Sequence, residues 1–140
     1  MAEPDLPNSG DGCVEGPNED LDFEIGFYEQ ILERLPNSVD VLMALGNDYT
    51  RQGLVEKGLS VDERLCQLRQ TDPIIHYNLA CSCSLLGQLD KAIAALNQAL
   101  EFGYHDIDFM QRDPDLENVR QDPRYLALLE GALRRQLTSK

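Results

Sequence analysis

The side chains able to do chemistry in this sequence are few, and their spacing suits binding better than catalysis. His76 and His105 have no H-E-x-x-H partner, there is no G-x-S-x-G elbow, and no glycine-rich phosphate loop precedes a lysine. Cys13, Cys66, Cys81 and Cys83 form no C-x-x-C pair. If residues 74–86 are helical, Cys81 and Cys83 stand about 200° apart around the axis and share a metal poorly. They read as small, weakly polar helix residues. Asp106, Asp108, Asp113, Asp115 and Glu117 imitate a cation site but lack the spacing and turn glycine of an EF-hand loop, so helix capping and solvation are their expected roles. No catalytic, cofactor or metal site is expected, and the chain reads as a non-enzyme.

Such side chains must be held by one modest domain. The chain has 140 residues, and its 42% hydrophobic content is enough for a single apolar core. The formal charge of -13 disfavours the phosphate backbone of a nucleic acid or an anionic membrane as partner. The acid is unevenly placed: residues 1–33 hold ten acidic side chains and no Lys or Arg. Residues 1–20 combine three Pro, three Gly and six acids with almost no large apolar group. They cannot offset the entropy of ordering and read as a disordered acidic arm. No basic start leads into an apolar stretch, and no apolar run approaches membrane length, so a cytoplasmic setting is expected.

Sliding the sequence against itself by about 34 residues pairs like with like. Leu45 meets Leu79, Gly46 meets Ala80, Gly53 meets Gly87, Gly58 meets Ala92, and Leu65 meets Ala99. One step further back, Ile31 and Leu32 align with Leu65 and Cys66. Local signals give helices in the same frame. Leu21, Ile25, Tyr28, Leu32 and Leu35 form an apolar stripe on a first helix that ends before Pro36. Asn37 or Ser38 caps a second helix, which Gly53 stops, and a third runs from about Leu54 to Gln70. Asp72-Pro73 opens a fourth helix reaching Leu86. Leu89, Ala92, Ile93, Leu96, Ala99 and Leu100 face a fifth, which stops at Gly103. Beyond Gly103 the repeat pattern breaks down, because Asp113-Pro114 interrupts the next helix and Asp122-Pro123 starts another.

The pattern L-x-x-L-G-x-x-Y-x-x-x-G at Leu42, Leu45, Gly46, Tyr49 and Gly53 resembles a tetratricopeptide repeat, and Leu79, Ala80, Gly87 and Ala92 to Ala99 resemble the next. Asp62 departs from it by standing where an aromatic or aliphatic residue is usual. The stretch from Arg112 to Tyr125 resembles the segment that closes many bacterial arrays of this kind. The resemblance implies an all-α stack of antiparallel helix pairs, a short right-handed solenoid with a helical C-terminal cap. Its parts would be a half repeat at 21–37, repeats at 39–72 and 73–106, and capping helices at 107–137. Leu116, Val119, Tyr125, Leu126, Leu129 and Leu133 would cover the open apolar end.

In that family the first helix of each pair faces a concave groove, which commonly receives a peptide or helix from a protein partner. The register then assigns Met43, Asn47, Thr50 and Arg51 to the groove from one pair, and Tyr77, Asn78 and Cys81 from the next. Amides such as Asn47 and Asn78 can both donate to and accept from a peptide backbone. Chaperone-binding members hold a C-terminal carboxylate with two Asn, two Lys and one Arg. Asn47, Asn78 and Arg112 fall at three of those places, while Met43 and Asp108 occupy the lysine places. The expectation is a protein-binding module, with Arg51 or Arg112 supplying charge. Self-association into an assembly is the alternative, since a half repeat leaves one helix unpaired.

Overall fold

The computed structural model describes residues 19–138, so residues 1–18 of the arm expected over 1–20 lie outside the described residues, while its last two, Glu19 and Asp20, belong to the first helix instead. The elements are α1 (Glu19–Arg34), α2 (Val39–Arg51), α3 (Val55–Leu68), α4 (Pro73–Leu85), α5 (Leu89–Glu101) and α6 (Ile107–Arg112). A short 3-10 turn (Pro114–Leu116), α7 (Glu117–Arg120) and α8 (Pro123–Thr138) complete the chain. Consecutive helices from α1 to α5 pack on one another, and the segment after Asp113 folds back onto α4 while α8 lies against α5. The fold is an all-α stack of helix pairs.

The helix boundaries follow from backbone groups that need partners. The Ser38 side chain accepts from the Val41 N–H at the start of α2, and Asp72 accepts from the Ile74 N–H at 2.9 Å with Pro73 in the first turn of α4. Gly53, Gly87 and Gly103 each take the left-handed conformation just past a helix. After Gly53 the Leu54 N–H reaches the Tyr49 carbonyl at 2.8 Å, and the Gly53 N–H reaches Thr50 at 3.0 Å. The same two bonds recur at Gly87 and Gly103, so three helices end in one motif that satisfies their last carbonyls. Gly53 and Gly87 stand one repeat apart, so the sequence period is expressed again in hydrogen bonds.

That period also survives where the sequence pattern fades. Helices begin at Val39, Pro73 and Ile107, and their partners at Val55, Leu89 and Pro123, each a full repeat length after the last. The breakdown expected beyond Gly103 is therefore confined to one helix. Pro114 has no N–H to continue α6, and Asp113 instead accepts from the Asp115 N–H at 3.0 Å to open the next turn. Ser84 then ties this segment to α4: its carbonyl accepts from the Asn118 amide at 2.8 Å, and its hydroxyl accepts from the Val119 N–H at 3.2 Å.

Small residues let the pairs close. A Cβ on Gly46 would sit 3.2 Å from Val61 Cγ1, and one on Gly58 would sit 2.8 Å from Thr50 Oγ1. Ala80 and Ala92 are fully buried at the matching places in the next pair. The largest cluster joins Tyr77, Ala80 and Cys83 of α4 to Ala95, Leu96 and Leu100 of α5, and continues through Met110, Leu116 and Val119 to Tyr125 and Ala132 of α8. Three expected apolar contacts are corrected. Leu35 is exposed, since α1 has ended one residue earlier. Leu126 and Leu133 are also exposed, because α8 presents Tyr125, Leu128, Leu129 and Ala132 to the core and carries those two leucines on its flank. The expected third helix stops at Leu68 and not at Gln70.

Candidate functional site

Six of the eight side chains assigned to a groove line one cavity of about 170 Å³. Met43, Asn47 and Thr50 enter from α2, and Tyr77, Asn78 and Cys81 from α4. These are the inner faces of the first helices of two successive pairs, in phase with the repeat. Asn47 is exposed and Asn78 half-buried, and among the described residues neither amide has a hydrogen-bond partner. Each is thus open to donate and to accept. Arg51 and Arg112 do not line the cavity. Arg51 lies 3.5 Å from Asp48, whose carboxyl is pushed up to about 6 by burial and by the neighbouring Glu24 of α1.

The charged groups that do line the cavity are acids the register did not assign to it: Asp62, Asp113 and Asp115. Asp62 is buried where an apolar residue is usual, and Ser82 of α4 donates its hydroxyl proton to it at 2.6 Å. Burial pushes its carboxyl up to about 6. Asp113 is also buried, and it accepts from the Tyr77 hydroxyl at 2.7 Å. The Cys81 thiol lies 3.7 Å from the same oxygen. Burial, then the Asp113 charge, pushes that thiol far above its ordinary range, so it is a protonated wall and a poor nucleophile. A polar residue at the apolar place of Asp62 was the sequence signal for this acidic floor. Asp113 gave none, since its contact with Tyr77 spans 36 residues.

Tyr77 lines the cavity from a buried position. Its ring is buried and stacked on Tyr104, with centroids 4.2 Å apart, and Phe109 lies tilted against it at 6.4 Å. The partly exposed Phe109 supplies the apolar face at the rim instead. On the far side of α4, Cys83 lines a separate hollow with Cys66 and His76, so Cys81 and Cys83 do point apart. His76 is packed, its Nε2 2.7 Å from the Gln70 carbonyl oxygen and its ring against Phe102. Of the acidic cluster, Asp106 caps α6 by accepting from the Phe109 N–H, and Asp113 caps the turn that follows.

Comparison with known proteins bears on the fold. Residues 73–104, the α4–α5 pair, match the model of the tetratricopeptide repeat. The crystal structure of MamA superposes with a TM-score of 0.69 over 87% of this chain and 70% of MamA, at 23% identity. The chain carries a tetratricopeptide repeat within a stack of the same fold. A curated relative, a chloroplastic protein of Arabidopsis thaliana, is 32% identical over 88 residues, which is 61% of this chain. The chain spans about a quarter (26%) of that relative's length. Tetratricopeptide repeats are in general scaffolds for protein interaction.

Proposed function

We propose that this tetratricopeptide-repeat chain is a non-enzymatic module that binds a segment of a partner protein in the groove between α2 and α4. The observation that carries the reading is the pair of unengaged amides, Asn47 and Asn78, on equivalent faces of successive repeats. They can hold a peptide backbone without demanding a particular sequence. The acids favour a segment bringing N–H or cationic groups, because Asp62, Asp113 and Asp115 would repel a terminal carboxylate. Charge from Arg51 or Arg112 is not part of this reading.

A cytoplasmic or otherwise reducing setting is part of the same proposal. Cys66, Cys81 and Cys83 are free thiols, and among the described residues no helix is long and apolar enough to cross a membrane. The test is to recover a partner by affinity capture and to titrate it calorimetrically against the chain and an Asn47→Ala/Asn78→Ala variant. Each buried partner group left unpaired should weaken binding by about 1–3 kcal/mol. Equal affinity with an intact fold would move binding away from the groove.

A further inference from the structure

The hollow on the far side of α4 brings a thiol, an imidazole and a carbonyl into series. Cys66 Sγ, near the end of α3, lies 3.8 Å from His76 Nδ1, and His76 Nε2 lies 2.7 Å from the Gln70 carbonyl oxygen. A carbonyl oxygen can only accept, so Nε2 carries the ring proton, and the neutral imidazole turns its Nδ1 lone pair to the thiol. The Phe102 ring rests against the imidazole, with centroids 5.3 Å apart. The result is a nucleophile, a base, and a group that orients the base.

About 270 Å³ of space opens beside this pair, between α3, α4 and α5. Leu79, Ala94 and Ala95 form its apolar wall, and its two charged side chains, Glu63 and Lys91, are of opposite sign. Such a lining favours an uncharged apolar body, and an apolar cavity of about 150 Å³ already takes benzene. Lys91 is exposed and has no ion-pair partner among the described residues, so its ammonium can meet negative charge that develops on a ligand oxygen. Cys83 lines the same hollow at 1% exposure, and among the described residues its thiol has no hydrogen-bond partner. Cys66 is half-buried and reachable. Burial, with the neighbouring Asp62, Cys83 and Glu63, pushes its thiol up to about 11. The resting group is therefore a neutral thiol, and its reactivity depends on a base that takes the proton as the new bond forms. His76 is that base, whereas Cys81 and Cys83 have no imidazole beside them.

We propose that Cys66 is an addition site for a small, uncharged α,β-unsaturated carbonyl compound seated in this hollow, with His76 as the base. Cys66 Sγ bonds to the β-carbon while the C=C π pair shifts toward the carbonyl oxygen, giving an enolate that Lys91 stabilises. The thiol proton passes to His76 Nδ1 and returns to the α-carbon. The product is a thioether that keeps every atom of both reactants, and no oxidant or second reactant is consumed. The addition happens once per chain and is not turnover. It lies across α4 from the groove, so it stands independently of the proposed groove ligand.

The experiment exposes the full chain to cyclohexenone and, separately, to acrylamide, which carries the same reactive group on a polar body. Adducts at each cysteine are followed by peptide mass, with N-acetylcysteine as the free-thiol reference. Relative to that reference, Cys66 should prefer cyclohexenone over acrylamide by at least about tenfold, while Cys81 and Cys83 stay unlabelled. His76→Ala should slow Cys66 toward both probes by at least about tenfold. Ala94→Leu changes an exposed lining position, and it should erase the preference for cyclohexenone while leaving the acrylamide rate as it was. Unchanged helix content and unlabelled Cys81 and Cys83 show that each variant keeps its fold closed. Asn47→Ala/Asn78→Ala should be labelled as wild type is. An unlabelled Cys66, a Cys66 that does not distinguish the probes, or label falling first on Cys83 overturns the inference. So does a Cys66 that reacts as fast without His76, or a preference that survives Ala94→Leu.

Discussion

Ser82 and Asp62 meet across 2.6 Å, a hydroxyl of α4 donating to a carboxylate of α3 beneath the groove. This pair joins the two repeats at the point where apolar packing would otherwise do so. The acid is costly there, because burial outweighs the help of the Ser82 bond and lifts the carboxyl from 3.8 to about 6.

Stability should therefore depend on pH through Asp62. The unfolded chain releases the proton near its ordinary value of 3.8, whereas the fold retains it to about 6. The contribution of the neutral acid is fully present below the unfolded value and is lost as pH rises through about 6. The difference between the two states corresponds to at most about 3 kcal/mol. Asp62→Asn keeps an acceptor for Ser82 without the charge, so it should melt above wild type at about pH 7.5 and converge with it near pH 4. Melting curves across that range check both parts, and an Asn variant that melts lower at the higher pH would refute the argument.

Two helical glycines should respond in opposite directions. Gly46 faces Val61 at a distance that already crowds a Cβ, so Gly46→Leu should cost about 1–3 kcal/mol by overpacking. Gly26 has nothing within 4 Å of its would-be Cβ, and Gly26→Ala should stabilise α1 by up to about 1 kcal/mol. Denaturant unfolding of both variants supplies the numbers. Wild-type stability in Gly46→Leu would show that α2 and α3 do not close through this position.

The parts of the fold legible in the sequence are those determined within a few residues. Ser38, Asp72 and the three stop glycines act on backbone groups one turn away, and the repeat spacing of small residues reports where helices touch. The place of Asn47 and Asn78 at the cavity followed from the same register. Less legible were features that depend on how a helix is rotated or what arrives from far along the chain. Leu126 and Leu133 looked like core because α8 has apolar residues on more than one face, and only packing against the rest of the stack selects among them. Arg112 shared a register position with groove residues, yet Asp113 and Pro114 end its helix and bring Asp113 to the cavity instead.

Ser84 should hold the closing segment. Its hydroxyl accepts from the buried Val119 N–H, so Ser84→Ala leaves that donor unpaired and should cost about 1–3 kcal/mol. The loss should appear first as faster hydrogen exchange at Val119 and its neighbours in α7, with α2 and α3 protected as before. Uniform acceleration across all helices would mean that the closing segment and the repeats unfold as one unit.

The charge of the groove gives the last prediction, on the salt dependence of partner binding. With Asp62, Asp113 and Asp115 lining the cavity and no lysine or arginine among its lining residues, a partner segment should dock through cationic or N–H groups. Its affinity should then fall as salt is added. Asp115 is half-buried and accessible to a ligand, so Asp115→Asn should weaken binding of a lysine-bearing segment and flatten its salt dependence. Arg112 lies outside the cavity, so Arg112→Ala should leave both unchanged. Titrations at two salt concentrations separate these outcomes. An affinity that rises when Asp115 is neutralised, or that collapses when Arg112 is removed, would mean that the groove receives an acidic segment after all.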